Sequence, residues 1–167
     1  MSTCVIRDVG MTKYSKKQVV FHWLIAMMIA TQFIFHDAIS DAYEATLRGI
    51  EVAFNPLVAA HVFVGIAVLV LTVWRFSVRQ KTGVPPYPEA ESKVTKLASE
   101  IVHYGTYVLG ILLPISGGAA WFGGVKAAAE AHEVMKAILM ALVALHIGGA
   151  LFHLFAKKNN IFKRMWF

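Results

Sequence analysis

The sequence predicts an all-α integral membrane protein, a four-helix bundle with both termini in the cytoplasm. Three observations carry that prediction. First, 57% of the 167 residues are hydrophobic and 16% are charged, whereas an ordinary soluble domain has about 25% charged residues; the mean hydropathy is +0.60. Second, the charges cluster, and each of the four stretches between clusters approaches or exceeds the roughly 20 apolar residues that one membrane helix needs. Third, the connecting segments alternate in charge along the chain.

The first apolar stretch, residues 19–35, reads VVFHWLIAMMIATQFIF and predicts a helix over about 19–36. The second, residues 57–74, reads LVAAHVFVGIAVLVLTVW and predicts a helix over about 57–79. The third contains Pro114, Gly117 and Gly118 and predicts a helix over about 97–122. The fourth, about 127–156, is long enough to protrude from the membrane. Each must be helical, because lipid offers backbone amides no hydrogen-bond partner. Pro114 is expected to kink the third helix, with neighbouring helices covering the freed carbonyl.

The connections set the orientation. The N-terminal tail carries Arg7, Lys13, Lys16 and Lys17. The second connection carries Arg75, Arg79, Lys81, Lys93 and Lys96 around a Pro-rich turn at 84–88, and the C-terminal tail carries Lys157, Lys158, Lys163 and Arg164. The first connection sets Asp37, Asp41, Glu44 and Glu51 against Arg48, and the third holds Lys126, Glu130 and Glu133. Basic segments stay in the cytoplasm, so both termini belong there and the number of spans is even. A single domain over residues 1–167 is expected, with no cleavable signal, because the first apolar run begins only after Lys17 and no small-residue cleavage site follows closely. The net charge of +6 reads as membrane flanks; once the spans are removed, no basic domain remains to bind nucleic acid. Cys4, the single cysteine, excludes an internal disulfide and multi-cysteine zinc or iron–sulfur sites.

Seven histidines (His22, His36, His61, His103, His132, His146 and His153) all lie in or at the edge of apolar runs. Ionisable groups inside a membrane are costly and usually functional, although a lone one also serves as an interhelical hydrogen-bond partner. His132 and His146 are fourteen residues apart. That is nearly four turns, so both imidazoles face the same way about 21 Å apart. The fourth helix enters from the outer side, which makes His132 level with His61 and leaves His146 to meet His22. Two crosswise pairs result, one near each membrane face. Depth alone leaves alternatives open: His153 also reaches the inner level, and His36, fourteen residues after His22, also reaches the outer one.

Facing imidazole pairs suit haem b with two histidine ligands, since the iron takes one nitrogen on each side of a flat apolar disc. Zinc and copper also accept imidazole, but a structural zinc recruits four ligands at one level. Gly65, one turn after His61, and Gly148 and Gly149, after His146, suit a haem as well as they suit close helix packing. Attachment would be non-covalent, because a covalent haem needs Cys-x-x-Cys-His.

The ordered set of motifs resembles the bacterial cytochrome b561 family, within the wider group of four-helix di-haem cytochromes b. The resemblance rests on Tyr14-Ser15 before His22-Trp23, on His61 with Gly65, and on Arg75 and Arg79 ending the second helix. It continues through His103-Tyr104, Tyr107, Pro114 and Gly117, then His132, His146 and His153, to Lys158-Asn159-Asn160 before Phe162-Lys163-Arg164-Met165. It covers nearly the whole length. It implies two b haems, the inner one on His22 and His146 and the outer one on His61 and His132. It leaves His36 without a ligand role. It implies a bacterial inner-membrane, multi-pass protein, with ubiquinone or another quinone bound near His153.

Relatives of this kind are stand-alone quinone-linked cytochromes, some oxidising superoxide, or resemble haem-bearing anchor subunits of larger dehydrogenases or hydrogenases. The expected function is therefore transmembrane electron transfer between a periplasmic-side donor and quinone, with the anchor role as the alternative. An anion such as superoxide is steered by a positive face; the net-negative first connection departs from that and suits a basic protein donor. A transporter that relays protons through its histidines is a third reading, and the absorbance of the purified protein excludes or keeps it. Five more side chains are assigned roles. Arg75, with Arg79, is expected to neutralise the inner haem's propionates, against a plain membrane-anchoring role. Lys136, one turn after His132, is expected to reach an outer propionate, against snorkelling to headgroups. His153, two turns beyond His146, and His103 are expected to contact the quinone, with a headgroup contact or inner-haem ligation as the alternatives for His153. Oligomeric state is not legible in the sequence.

Overall fold

A computed structural model describes residues 13–87, 91–158 and 161–166. The sequence features at Cys4, Arg7, Pro88, Asn159 and Asn160 lie outside the described residues. The described residues form five α-helices, α1 (Lys16–Ile34), α2 (His36–Leu47), α3 (Pro56–Thr82), α4 (Lys93–Gly123) and α5 (Lys126–Phe155), then a short 3₁₀ turn at Ile161–Met165. Four of these, α1, α3, α4 and α5, are long and apolar enough to cross a membrane.

Local chemistry sets the ends. Ser15 caps α1 in a capping box with Gln18: Gln18 N donates to Ser15 Oγ, and Ser15 N donates to Gln18 Oε1 at 2.9 Å. Asn55 accepts from Leu57 N with Pro56 at the first helical position, where a missing N–H is harmless. Ser92 caps α4 through Thr95 N. Gly83 closes α3 at φ 72°, ψ −170°, a region that is essentially glycine's alone. The Gly83 carbonyl then accepts from Gln18 Nε2 at 3.0 Å, which ties the start of α1 to the end of α3.

Pro114 lies inside α4, and the helix continues through it. The second helix is a finding beyond the sequence reading, which treated residues 37–51 as a connection. The first span ends at Phe35, and the chain re-forms a helix at once.

Close packing joins α4 to α5, α1 to α3 and α3 to α4, with α2 against α3. The buried core is Leu109, Leu113 and Leu139, with Ile29, Phe33, Met135, Leu142 and Val143 packed on it. It sits at mid-height, between the two histidine levels. Large apolar side chains such as Met27, Phe63, Val70 and Leu145 face outward, as expected where the surroundings are lipid. At the inner end the 3₁₀ turn folds back on α1: Trp23 Nε1 donates to the Met165 carbonyl at 2.9 Å, and its ring packs on Phe162 and Trp166.

Candidate functional site

Two clusters of histidines occupy opposite ends of the bundle. The outer one surrounds a cavity of about 540 Å³, within the range of pockets that bury a cofactor-sized ligand. His61 from α3 and His132 from α5 both line it. His132 Nδ1 is 2.9 Å from the Leu113 carbonyl. A carbonyl can only accept, so Nδ1 carries the proton and Nε2 keeps its lone pair for a metal, the arrangement typical of ligating imidazoles. Gly117 makes room for this ring, since a Cβ there would lie 3.1 Å from His132 Cε1. Gly65 also lines the cavity, and a Cβ there would meet nothing within 4 Å.

Two buried polar atoms around the same cavity have no hydrogen-bond partner among the described residues: His61 Nδ1 and the Tyr43 hydroxyl. Buried polar groups are rarely left so without a reason. Tyr43 comes from α2, which lays His36, Ile39, Ser40, Tyr43 and Glu44 along the cavity. Those positions recur every three or four residues, so one face of α2 forms a wall. His36 has both nitrogens engaged, Nδ1 on the Phe33 carbonyl at 3.0 Å and Nε2 against Asp37 at 3.2 Å. Lys136 lines the cavity and pairs with Glu133 at 2.5 Å.

The inner cluster is tighter. The His22 and His146 rings, from α1 and α5, have centres 5.9 Å apart. Two imidazoles on opposite sides of one metal, at roughly 2 Å per bond, require a similar separation. His103 from α4 joins them, its ring centre 5.2 Å from that of His146. Its Nδ1 donates to the Ser99 carbonyl at 2.7 Å, one helical turn back.

Arg75 from α3 donates to the Tyr107 hydroxyl and to the Gln18 carbonyl, and its guanidinium lies over the Tyr107 ring. Gln18 is one turn before His22, so Arg75 is held beside the inner pair. Arg79 lies over the Tyr104 ring. His153 stands two turns beyond His146, with Nδ1 3.6 Å from a carboxylate oxygen of Glu91.

The geometry thus brings His22 to His146 and sets His61 and His132 on one cavity. It puts His103 on His146, apart from the end of α5 that carries His153. Sequence reasoning missed Glu91, one of two acids (with Glu89) between a Pro-rich turn and the Ser92 cap. It also missed the α2 wall, which the spacing of His36, Ile39, Ser40 and Tyr43 could have revealed.

The profile of a family described as prokaryotic cytochrome b561 matches residues 13–167. The chain is 34% identical to "Cytochrome b562" of Cereibacter sphaeroides, over 91% of this chain and 94% of that protein. It is 29% identical to "Probable superoxide oxidase CybB" of Yersinia pestis, covering 92% and 95% of the two chains. It is 27% identical to "Cytochrome b561 homolog 1" of Escherichia coli K12, covering 93% and 97%.

Proposed function

The chain belongs to the prokaryotic cytochrome b561 family, and from that premise we propose that it moves electrons across the bilayer through two b haems, between a donor at its outer face and membrane quinone. As a member it is a multi-pass membrane protein that uses haem b for electron transfer. The finer reading is supported chiefly by one observation: the histidines gather as two separate clusters, one at each end of the bundle. Bound haem supplies one-electron chemistry at an iron whose potential is set by axial ligands, burial and nearby hydrogen bonds.

The chain's own residues do the rest. His61 and His132 would hold the outer group, with the Leu113 carbonyl fixing the His132 tautomer. His22 and His146 would hold the inner one. Arg75, anchored by Tyr107 and Gln18, presents a fixed positive charge there for a propionate, and Lys136 offers one at the outer cavity. His153, beyond the inner pair, would hydrogen-bond a quinone carbonyl and give it a proton; His103, packed on His146, would be a second polar contact only for a quinone that reaches back to the inner pair. The basic flanks support cytoplasmic termini, and the prokaryotic family supports a bacterial inner membrane.

The name of the Yersinia pestis relative makes superoxide one donor to test. The acidic outer segment, with Asp37, Asp41, Glu44 and Glu51, makes a basic redox protein the other. A pyridine haemochrome assay with haem counted per chain tests the proposal. Two non-covalent b haems are expected, and one or none would overturn it.

A further inference from the structure

Glu91 is a charged group with no part in the function proposed so far. It ends the Pro-rich connection, just before the Ser92 cap of α4, and its side chain is 2% exposed. Burying a carboxylate costs several kcal/mol unless partners replace its water. Among the described residues, the charged groups within 4 Å of it are two, His153 in the last turn of α5 and Lys157 just beyond that helix. Lys157 Nζ meets Oε1, and His153 Nδ1 is 3.6 Å from Oε2. That second distance marks an electrostatic contact rather than a hydrogen bond. The side chain of His153 is 12% exposed and that of Lys157 is 31% exposed. Lys157 therefore meets water, while Glu91 and His153 lie behind it.

We propose that Glu91 is a positioning residue for proton delivery to quinone: its buried carboxylate stands beside His153, and Lys157 connects the pair to cytoplasmic water. The inference rests on the reading of His153 as the quinone contact. The carboxylate sets a fixed negative charge beside the His153 ring. Reduction of a quinone to a quinol takes two electrons and two protons. The electrons come singly from the one-electron donor at the outer face, through the bundle. For the proton that passes through His153, an imidazolium N–H bond breaks and an O–H bond forms on the quinone oxygen. Neutral His153 then regains a proton from water by way of Lys157 and Glu91. The second proton comes to the other oxygen from the same aqueous phase.

A purely structural Glu91 would be a clamp between the α3–α4 connection and α5, and the test separates the two roles. The reduced holoprotein is reoxidised with a short-chain ubiquinone analogue, and haem absorbance is followed in H₂O and in D₂O. Glu91→Gln is expected to slow reoxidation about 10–100-fold with unchanged haem spectra and melting temperature, and Glu91→Asp to restore most of the rate. Lys157→Met, which cuts the link to water, is expected to slow reoxidation as well, and both variants are expected to show a larger solvent deuterium isotope effect than the parent protein.

An unchanged rate in Glu91→Gln overturns the proposal, and so does a slowed rate that Glu91→Asp fails to restore. If Glu91→Gln does not assemble, Lys157→Met decides alone: slowed reoxidation with a larger isotope effect supports the proposal, and an unchanged rate sinks it. His153→Ala keeps the premise separate. Intact reoxidation there removes the quinone reading itself. Collapse there beside a normal Glu91→Gln removes only the role of Glu91.

Discussion

His132 shows how much one side chain depends on its surroundings. Its Nδ1 is committed to the Leu113 carbonyl and its ring lies against Gly117, so Nε2 is fixed in direction before any ligand arrives. On the proposed two-haem reading, replacing it by Ala is expected to remove about half of the Soret absorbance, because one of the two haems would lose an axial bond. The inner haem should keep its spectrum, and absorbance of the purified variant checks both. Arg75 acts through charge. It is half-buried at the inner level and held by Tyr107 and Gln18, where a cation favours the reduced, more negative state of a neighbouring redox group. Arg75→Gln is expected to lower the inner haem's midpoint potential by roughly 60 mV, a tenfold change in a one-electron equilibrium. A redox titration resolves the two haems and reads it; an unchanged inner potential would leave Arg75 as a membrane anchor.

Among the elements, α2 and α4 differ most from a plain bundle. Residues His36 to Leu47 form a helix because the apolar positions Ile39 and Tyr43 fall on one face, toward the cavity, while Asp37 and Asp41 fall elsewhere. This helix covers the outer cavity as a wall without crossing the membrane. Ser40→Pro breaks a helix interior at a cost of about 3 kcal/mol. The expected outcome is an outer haem more open to small reagents. Carbon monoxide binding to the reduced protein, measured by difference spectroscopy, should rise at the outer haem and not at the inner one. In α4, Pro114 brings no backbone donor of its own, and the carbonyl of neighbouring Leu113 is the one that meets His132.

At the scale of the whole molecule, the bundle is a thin shell around two sites. Its spans bury few residues, and α5 buries a single one, Leu139, because one side faces lipid and part of the other faces the cofactor space. The apoprotein should therefore lose much of its stability, and haem extraction should lower the melting temperature by mass action. Orientation is testable with the lone cysteine. Cys4 precedes the first span, so a membrane-impermeant maleimide should label it in inside-out vesicles and not in right-side-out ones. Labelling with the opposite sidedness would reverse the direction proposed for electron flow.

The spans, the charged flanks and the histidine spacing were legible in the sequence because they follow from local rules. Apolar length decides what crosses a bilayer, and the 3.6-residue period decides which side chains share a stripe. That is enough to set His132 and His146 on one face of α5 and to exclude a soluble fold. Tertiary structure alone decided what lies opposite each of them. It placed His103 on His146 and folded α2 over the outer cavity. It also brought Glu91, 62 residues before His153, to the end of α5. Contacts of that kind depend on how helices separated in sequence pack across the bundle, and neither periodicity nor hydropathy encodes the rotation of one helix against another.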